Sequence, residues 1–122
     1  MADKLLIVLM NSDPKNPSEL GAPFLQATVA AAMEYEVEVL FTGRAGELAN
    51  QGVAEKLYFS TDSEKTVYDL MRDAVEAGAR LKVCASNFDF WGDDLIPEIS
   101  ETVGAAYIIS EAMDDETVTF TY

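Results

Sequence analysis

Six apolar residues in a row, Leu5-Leu6-Ile7-Val8-Leu9-Met10, restrict the fold more than any other stretch of this chain. A strand with one wet face alternates apolar and polar side chains. A run without alternation suits a strand covered on both faces, as in the middle of a parallel sheet. Six residues are also far short of the roughly 20 that cross a bilayer. Later segments of strand character are Val37-Glu38-Val39-Leu40-Phe41-Thr42, Leu81-Lys82-Val83-Cys84 and Val118-Thr119-Phe120-Thr121-Tyr122, with Thr102-Val103 as a very short further strand.

Helical spacing fills the intervals. From about Ala22 to Glu34 the chain is Ala-rich, and Phe24, Leu25, Thr28, Val29, Ala31, Ala32 and Met33 leave hardly a polar face. Such a helix is expected to be covered on both sides, by its own sheet and by a second subunit. Thr66 to Ala77 places Val67, Leu70, Met71, Ala74 and Val75 on one face, with a capping signal in Ser60 to Glu64 before it and Gly78 at the left-handed cap position after it. Gly104 to Met113 is read as a helix with Ala105, Ile108, Ile109 and Ala112 inward. Arg44 to Gly52 reads as a loop or broken helix, and Leu57-Tyr58-Phe59 as either a short strand or an apolar plug. Strands alternating with helices predict an α/β fold: one three-layer domain over residues 1–122, with a mainly parallel sheet of four to five strands and helices on both faces. At 122 residues the chain is long enough to bury a real core.

Charge narrows the function. Eight Lys and Arg stand against 22 Asp and Glu, a net charge of −14, which argues against binding a phosphate backbone and against an anionic membrane surface. A basic protein face is the partner such a charge favours. With one cysteine and no histidine, the chain can assemble neither an internal disulfide nor the usual zinc sites and His-assisted nucleophiles. No metal and no cofactor are expected. Met1-Ala2-Asp3-Lys4 and the short apolar run after it do not make a cleavable leader, so the expected address is the cytoplasm.

The chemistry gathers between Arg80 and Asp94. Cys84 ends a strand and hands over to Ala85-Ser86-Asn87, then to a loop, Phe88-Asp89-Phe90-Trp91-Gly92-Asp93-Asp94. Strand carboxyl ends in parallel sheets are where ligands and reactive groups are placed. Without imidazole, a thiolate at Cys84 has to be stabilised by backbone amides of Ala85 to Asn87 or by a cation, Lys82 on the same strand face or Arg44 from the neighbouring strand-end loop. Asp89, Asp93 and Asp94 would oppose it if close. The competing reading is a buried strand-end filler, a common use of cysteine in a core. Asn11, Ser12 and Asp13 end the first strand at the same edge and are expected to line a pocket with Thr42 and Gly43. Pro14 and Pro17 remove amides there and no glycine-rich turn is present, which disfavours a flavin or nucleotide site. Phe88, Phe90 and Trp91 are read as a docking surface, a lid over the sulfur, or part of a subunit interface.

The order of these features resembles the DsrE/DsrF/TusD family of small sulfur-relay proteins. The likeness covers most of the chain: the opening apolar strand, the Ala-rich helix, Leu40-Phe41-Thr42-Gly43, Val83-Cys84, Gly92, Asp94-Leu95-Ile96-Pro97, Val103-Gly104-Ala105-Ala106 and the terminal Val118-Thr119-Phe120. The resemblance implies a flavodoxin-like domain that assembles into trimers or hexamers. It also implies a single cysteine carrying sulfane sulfur as a persulfide between a donor and an acceptor, often a TusA-like carrier. The matching position is Cys84, with Asn11, Thr42, Gly43, Arg44, Ser86, Asn87, Phe88 and Trp91 as candidates for substrate or partner contacts. The alternative is a non-catalytic oligomeric binding or assembly module of the same fold.

Overall fold

The computed structural model describes residues 2–122; Met1, the start of the segment read above for a leader, lies outside the described residues. Five strands, β1 (Lys4–Leu9), β2 (Glu36–Phe41), β3 (Arg80–Cys84), β4 (Ile99–Val103) and β5 (Thr117–Thr121), form one sheet in the order β4-β3-β2-β1-β5, every pairing parallel. The unalternating run from Leu5 forms an interior strand, flanked by β2 and β5, as its composition requires. Helices α1 (Gly21–Ala32) and α2 (Val67–Ala77) connect β1 to β2 and β2 to β3. Their buried side chains share one core with alternate residues of the strands: Ile7, Leu9, Val37, Val39, Phe41, Leu81 and Val83 meet Phe24, Ala27, Met71 and Ala74. Removing each large side chain of this set from water contributes about 1.5–3 kcal/mol.

After β4 the connection reverses. Helix α4 (Ala105–Ala112) runs back over the opposite face and delivers β5 to the far side of β1. Because parallel crossovers keep one hand, reversing the direction of travel along the sheet puts the helix on the other face. The result is the three-layer α/β architecture expected.

Three local readings change. The segment read as a loop after Asn87 contains a short helix, α3 (Asn87–Trp91). Strand β4 is five residues long instead of two, and an irregularity between Leu81 and Lys82 places Leu81 opposite Ile99 but Lys82 opposite Glu101. The extra residue, Ser100, donates its hydroxyl to Leu81 O at 3.1 Å, as a bulge that re-aims its neighbours does. In α4, Ile109 is 64 % exposed and Ala105 is exposed, while Tyr107 and Glu111 turn inward beside Ile108 and Ala112. The cause is the sheet face beneath. Lys4, Glu38 and Lys82 are buried there, so the helix presents polar groups to it.

The cap of α2 sits at Thr66, slightly beyond the Ser60 to Glu64 signal. Thr66 Oγ1 accepts from Asp69 N–H, and the Asp69 carboxylate accepts from Thr66 N–H, at 3.1 and 3.0 Å. Gly78 ends the helix with φ 119. The uncertain stretch before it is no strand: Tyr58 makes one isolated bridge to Thr66, and the Phe59 ring lies beside Gly21. Among the described residues, no helix is long and apolar enough to cross a membrane.

On α1 the apolar residues left over by the core form a stripe at four-residue spacing, Leu25 (63 % exposed), Val29 and Met33. With Tyr35, Val118 and Phe120 they line a groove of about 510 Å³ between α1 and the outer strand β5.

Candidate functional site

Three strand ends build the rim where Cys84 sits. Cys84 is the last residue of β3 and lies opposite Val103, the last residue of β4; on its other side β2 ends at Phe41 and continues into Thr42. Its side chain points to the α4 side of the sheet, since Leu81 and Val83 take the opposite face. Cys84 is 7 % exposed, recessed just below the rim, while Ala85 and Ser86 next to it are exposed.

The thiol is surrounded by donors. Ser86 Oγ–H points at Cys84 Sγ from 3.3 Å. Burial pushes the thiol up, but the Ser86 hydroxyl and N–H, the Thr42 hydroxyl and the Ala85 N–H together outweigh it and hold the thiol below its ordinary range. The Ser86 hydroxyl does so as a hydrogen-bond donor to the sulfur, and the others as N–H and O–H dipoles beside it. Ala85 N–H contributes last among them, in keeping with its 2.8 Å bond to Val103 O. Amides were expected to provide this; the two hydroxyls were not, although Thr42 and Ser86 were candidates for other contacts.

Neither expected cation takes part. Lys82 lies on the Cys84 side of β3, but its ammonium is engaged by Glu38 (3.1 Å), Glu101 (3.0 Å) and Tyr107 Oη (2.8 Å). Arg44 lies 3.6 Å from Asp13. The thiol is held low all the same, so whatever Asp89, Asp93 and Asp94 contribute does not reverse the donors' effect.

Around this centre the β2 loop and α3 are bolted together. After Thr42 the chain makes a 3-10 helix, Gly43–Ala49. Gly43 has φ 57, and a Cβ there would stand 2.7 Å from Met10 O, so this sharp departure from the strand requires glycine. Trp91 Nε1–H donates to Gly43 O (3.1 Å), Asn87 Nδ2–H to Gly46 O (3.0 Å), and Asn50 Nδ2–H to Trp91 O (2.8 Å). Trp91 thus lies back along the β2 loop and walls a small recess with Asp13, Pro14, Lys15, Arg44 and Glu47. Phe90 is 72 % exposed, and Phe88 and Met10 are partly exposed at the same rim.

The structure therefore brings Thr42, Cys84 and Ser86 into one cluster, with Gly43 and Arg44 in the adjoining loop and Trp91 of α3 bonded to it. Asn87, 2 % exposed, lies inside the protein. Asn11 stands apart: it is exposed, and its N–H is bound to Tyr122 O. Asn50 escaped the sequence reading altogether, and only its Asn-Gln-Gly context before Val53 hinted at a special turn.

Comparison with family models matches residues 4–115 to the DsrE/DsrF-like family. The chain belongs to this family. Among solved structures, this DsrE/DsrF-like chain is similar to the ychN protein from E. coli, with a TM-score of 0.74 at 12% identity, covering 100% of both chains. At that identity the likeness concerns the fold. Comparison with curated proteins gives no match.

Proposed function

We propose that this DsrE/DsrF-like protein is a sulfur-relay protein that carries sulfane sulfur as a persulfide on Cys84 between partner proteins. The observation that carries the proposal is the Ser86 hydroxyl aimed at Cys84 Sγ from 3.3 Å, at a strand end of a chain from this family, with Thr42 on the neighbouring strand end. A thiolate is the nucleophile in sulfur exchange, and it has to leave as readily as it attacks.

The transfer balances without an added oxidant or reductant. The Cys84 thiolate attacks the terminal sulfur of a donor persulfide, R–S–S⁻. The new Cys84 S–S bond forms as the donor S–S bond breaks, and the electron pair leaves on R–S⁻. An acceptor thiolate then attacks the terminal sulfur of Cys84–S–S⁻ and regenerates the Cys84 thiolate. The hydroxyls of Ser86 and Thr42 stabilise charge on Cys84 Sγ before and after each step. Because Cys84 is recessed, the incoming sulfur is best presented by a small donor molecule or an extended, narrow chain segment, such as the tip of a TusA-like carrier. A net charge of −14 favours a basic partner.

The groove between α1 and β5 supports assembly of the protein as a homo-oligomer, a trimer or hexamer, with the Leu25, Val29 and Met33 stripe buried between copies. Sizing of the purified protein tests that part alone.

Incubation with thiosulfate or a persulfide donor, followed by intact mass, tests the chemistry. One sulfur atom should be gained by the wild type, lost again on reduction, and absent from Cys84→Ser. One observation favours a second reading, a non-catalytic assembly module: the low exposure of Cys84. On that reading the native thiol resists alkylation and gains no sulfur from either donor.

A further inference from the structure

Two buried asparagines hold α3, and neither is fully satisfied. Asn87, the first residue of α3 and three positions from Cys84, donates to Gly46 O, but its Oδ1 has no partner. Asn50 donates to Trp91 O at the other end of α3, and its Oδ1 also has none. Buried acceptors without donors are rare in proteins, and each calls for a reason. Packing does not supply one at Asn87. A Cβ built on Gly46 would stand 1.6 Å from Asn87 Oδ1 and 3.2 Å from Trp91 Cδ1, so the Asn87 and Trp91 side chains lie directly on the Gly46 backbone, where a side chain on residue 46 would displace them.

We propose that Asn87 is a positioning residue for Cys84: by clamping the start of α3 to Gly46 it holds the Cys84-Ala85-Ser86 turn where the Ser86 hydroxyl reaches the sulfur beside Thr42. The geometry explains why the clamp has to join these two segments. Thr42 begins the loop that contains Gly46, and Ser86 immediately precedes Asn87. The two hydroxyls follow different strands, and both stay beside the sulfur when the loops after β2 and β3 keep a fixed separation. Asn87 sets that separation near the sulfur; Asn50 and the Trp91 indole set it at the far end of α3. The unmet Oδ1 is then a cost of bringing Asn87 close enough to reach Gly46 O.

The proposal rests on the reading of Cys84 as a working thiol, and the experiment separates the two. The rate of alkylation of the native protein by iodoacetamide is followed against pH. The midpoint reports the acidity of the sulfur, and the plateau at high pH reports access to it. Asn87→Ala should move the midpoint up, toward that of an ordinary cysteine, whatever happens to the plateau. Gly46→Ala should do the same, because its new methyl group displaces Asn87. In the Asn87→Ala background, Gly46→Ala should add little, since its main obstruction is gone. If Asn87→Ala does not fold, as circular dichroism would reveal, Gly46→Ala and Asn87→Ser carry the same comparison. A wild-type midpoint at the ordinary value of about 8.5 would overturn the reading of Cys84 itself. A lowered wild-type midpoint that neither Asn87→Ala nor Gly46→Ala moves would overturn the positioning role alone, as would full additivity of the two.

Discussion

The two faces of the sheet are built from the same strands and could hardly differ more. On the face under α1 and α2, Ile7, Leu9, Val37, Val39, Phe41, Leu81 and Val83 are apolar and sealed. On the face under α4, alternate residues of those strands supply Leu6, Val8 and Leu40 but also Lys4, Glu38 and Lys82, all buried. Glu38 lies 2.7 Å from the Lys4 ammonium and 3.1 Å from that of Lys82, and it accepts from Tyr107 Oη–H at 2.5 Å. Glu111 of α4 closes on Lys4 at 3.1 Å, and the bulge in β4 brings Glu101 to 3.0 Å from Lys82. One face is held by area, which does not depend on direction. The other adds to its buried Leu6, Val8 and Leu40 a set of paired charges, which fix where a helix of eight residues must lie. The lesson is that a short, poorly covered helix can be docked specifically when the surface beneath it offers few alternatives for hydrogen bonding.

The largest expected effect comes from unpairing the charged face. Glu38→Ala leaves two buried ammonium groups without their shared partner and is expected to lower stability by about 3–5 kcal/mol, read by urea unfolding. The pH dependence carries a sign. Burial pushes the Glu38 carboxyl up, but its bonds from Lys4, Tyr107 and Lys82 outweigh that and hold it below the ordinary carboxylate range. Its contribution is therefore complete above the ordinary carboxylate range and is lost as pH falls through the depressed value. Glu38→Gln and wild type should differ most near neutrality and converge in acid. Burial opposes the charges on Lys4 and Lys82 too, and their hydrogen bonds raise both above the ordinary lysine range. Their contribution fades only at strongly alkaline pH.

A second change would sharpen the contrast. Replacing Lys4, Glu38 and Lys82 together by Met, Leu and Met makes the two faces alike, and the expected outcome ranges from neutral to about 4 kcal/mol more stable. The same variant should loosen α4, seen as faster amide exchange in residues 105–112. A large loss of stability in the triple variant would mean that the ionic layer contributes net stability as well as specificity. On the apolar face a small deletion suffices: Ile7→Val is expected to cost about 0.5–1.5 kcal/mol with α4 exchange unchanged.

The smallest change in stability is expected at the open end of the charged face, where Cys84 lies. Ser86→Ala removes the hydroxyl that points at the sulfur, and the midpoint of the alkylation profile should rise while the unfolding curve stays close to wild type. An unmoved midpoint would transfer the burden to Thr42 and the amides.

Much of this was legible in the residues. The runs at Leu5, Val37 and Leu81 identify the strands of the apolar face because nothing polar interrupts their inner positions, and Val83-Cys84 marks the strand end that became the candidate site. What escaped depends on contacts between distant segments. Helix α3 has no side-chain cap and takes its shape from bonds to Gly43, Gly46 and Asn50. Strand β4 has Ser100, Glu101 and Thr102 exposed, so no apolar period announces it. The inward turn of Tyr107 was hidden by the assumption that a helix shows its most apolar side to a sheet. Glu38 between Val37 and Val39, and Lys82 between Leu81 and Val83, were the signals that this sheet has a charged side.

The flank formed by α1 and the outer edge of β5 also has a colloidal consequence. Val118 and Phe120 stand on an edge strand with no neighbour beyond it, the arrangement that invites edge-to-edge pairing. In any copy not yet assembled, what keeps this flank from pairing at random is mutual repulsion between strongly acidic surfaces. That repulsion vanishes near the isoelectric point of about 4.1, so mild acidification should make this flank sticky while the apolar core beneath α1 and α2 is still intact.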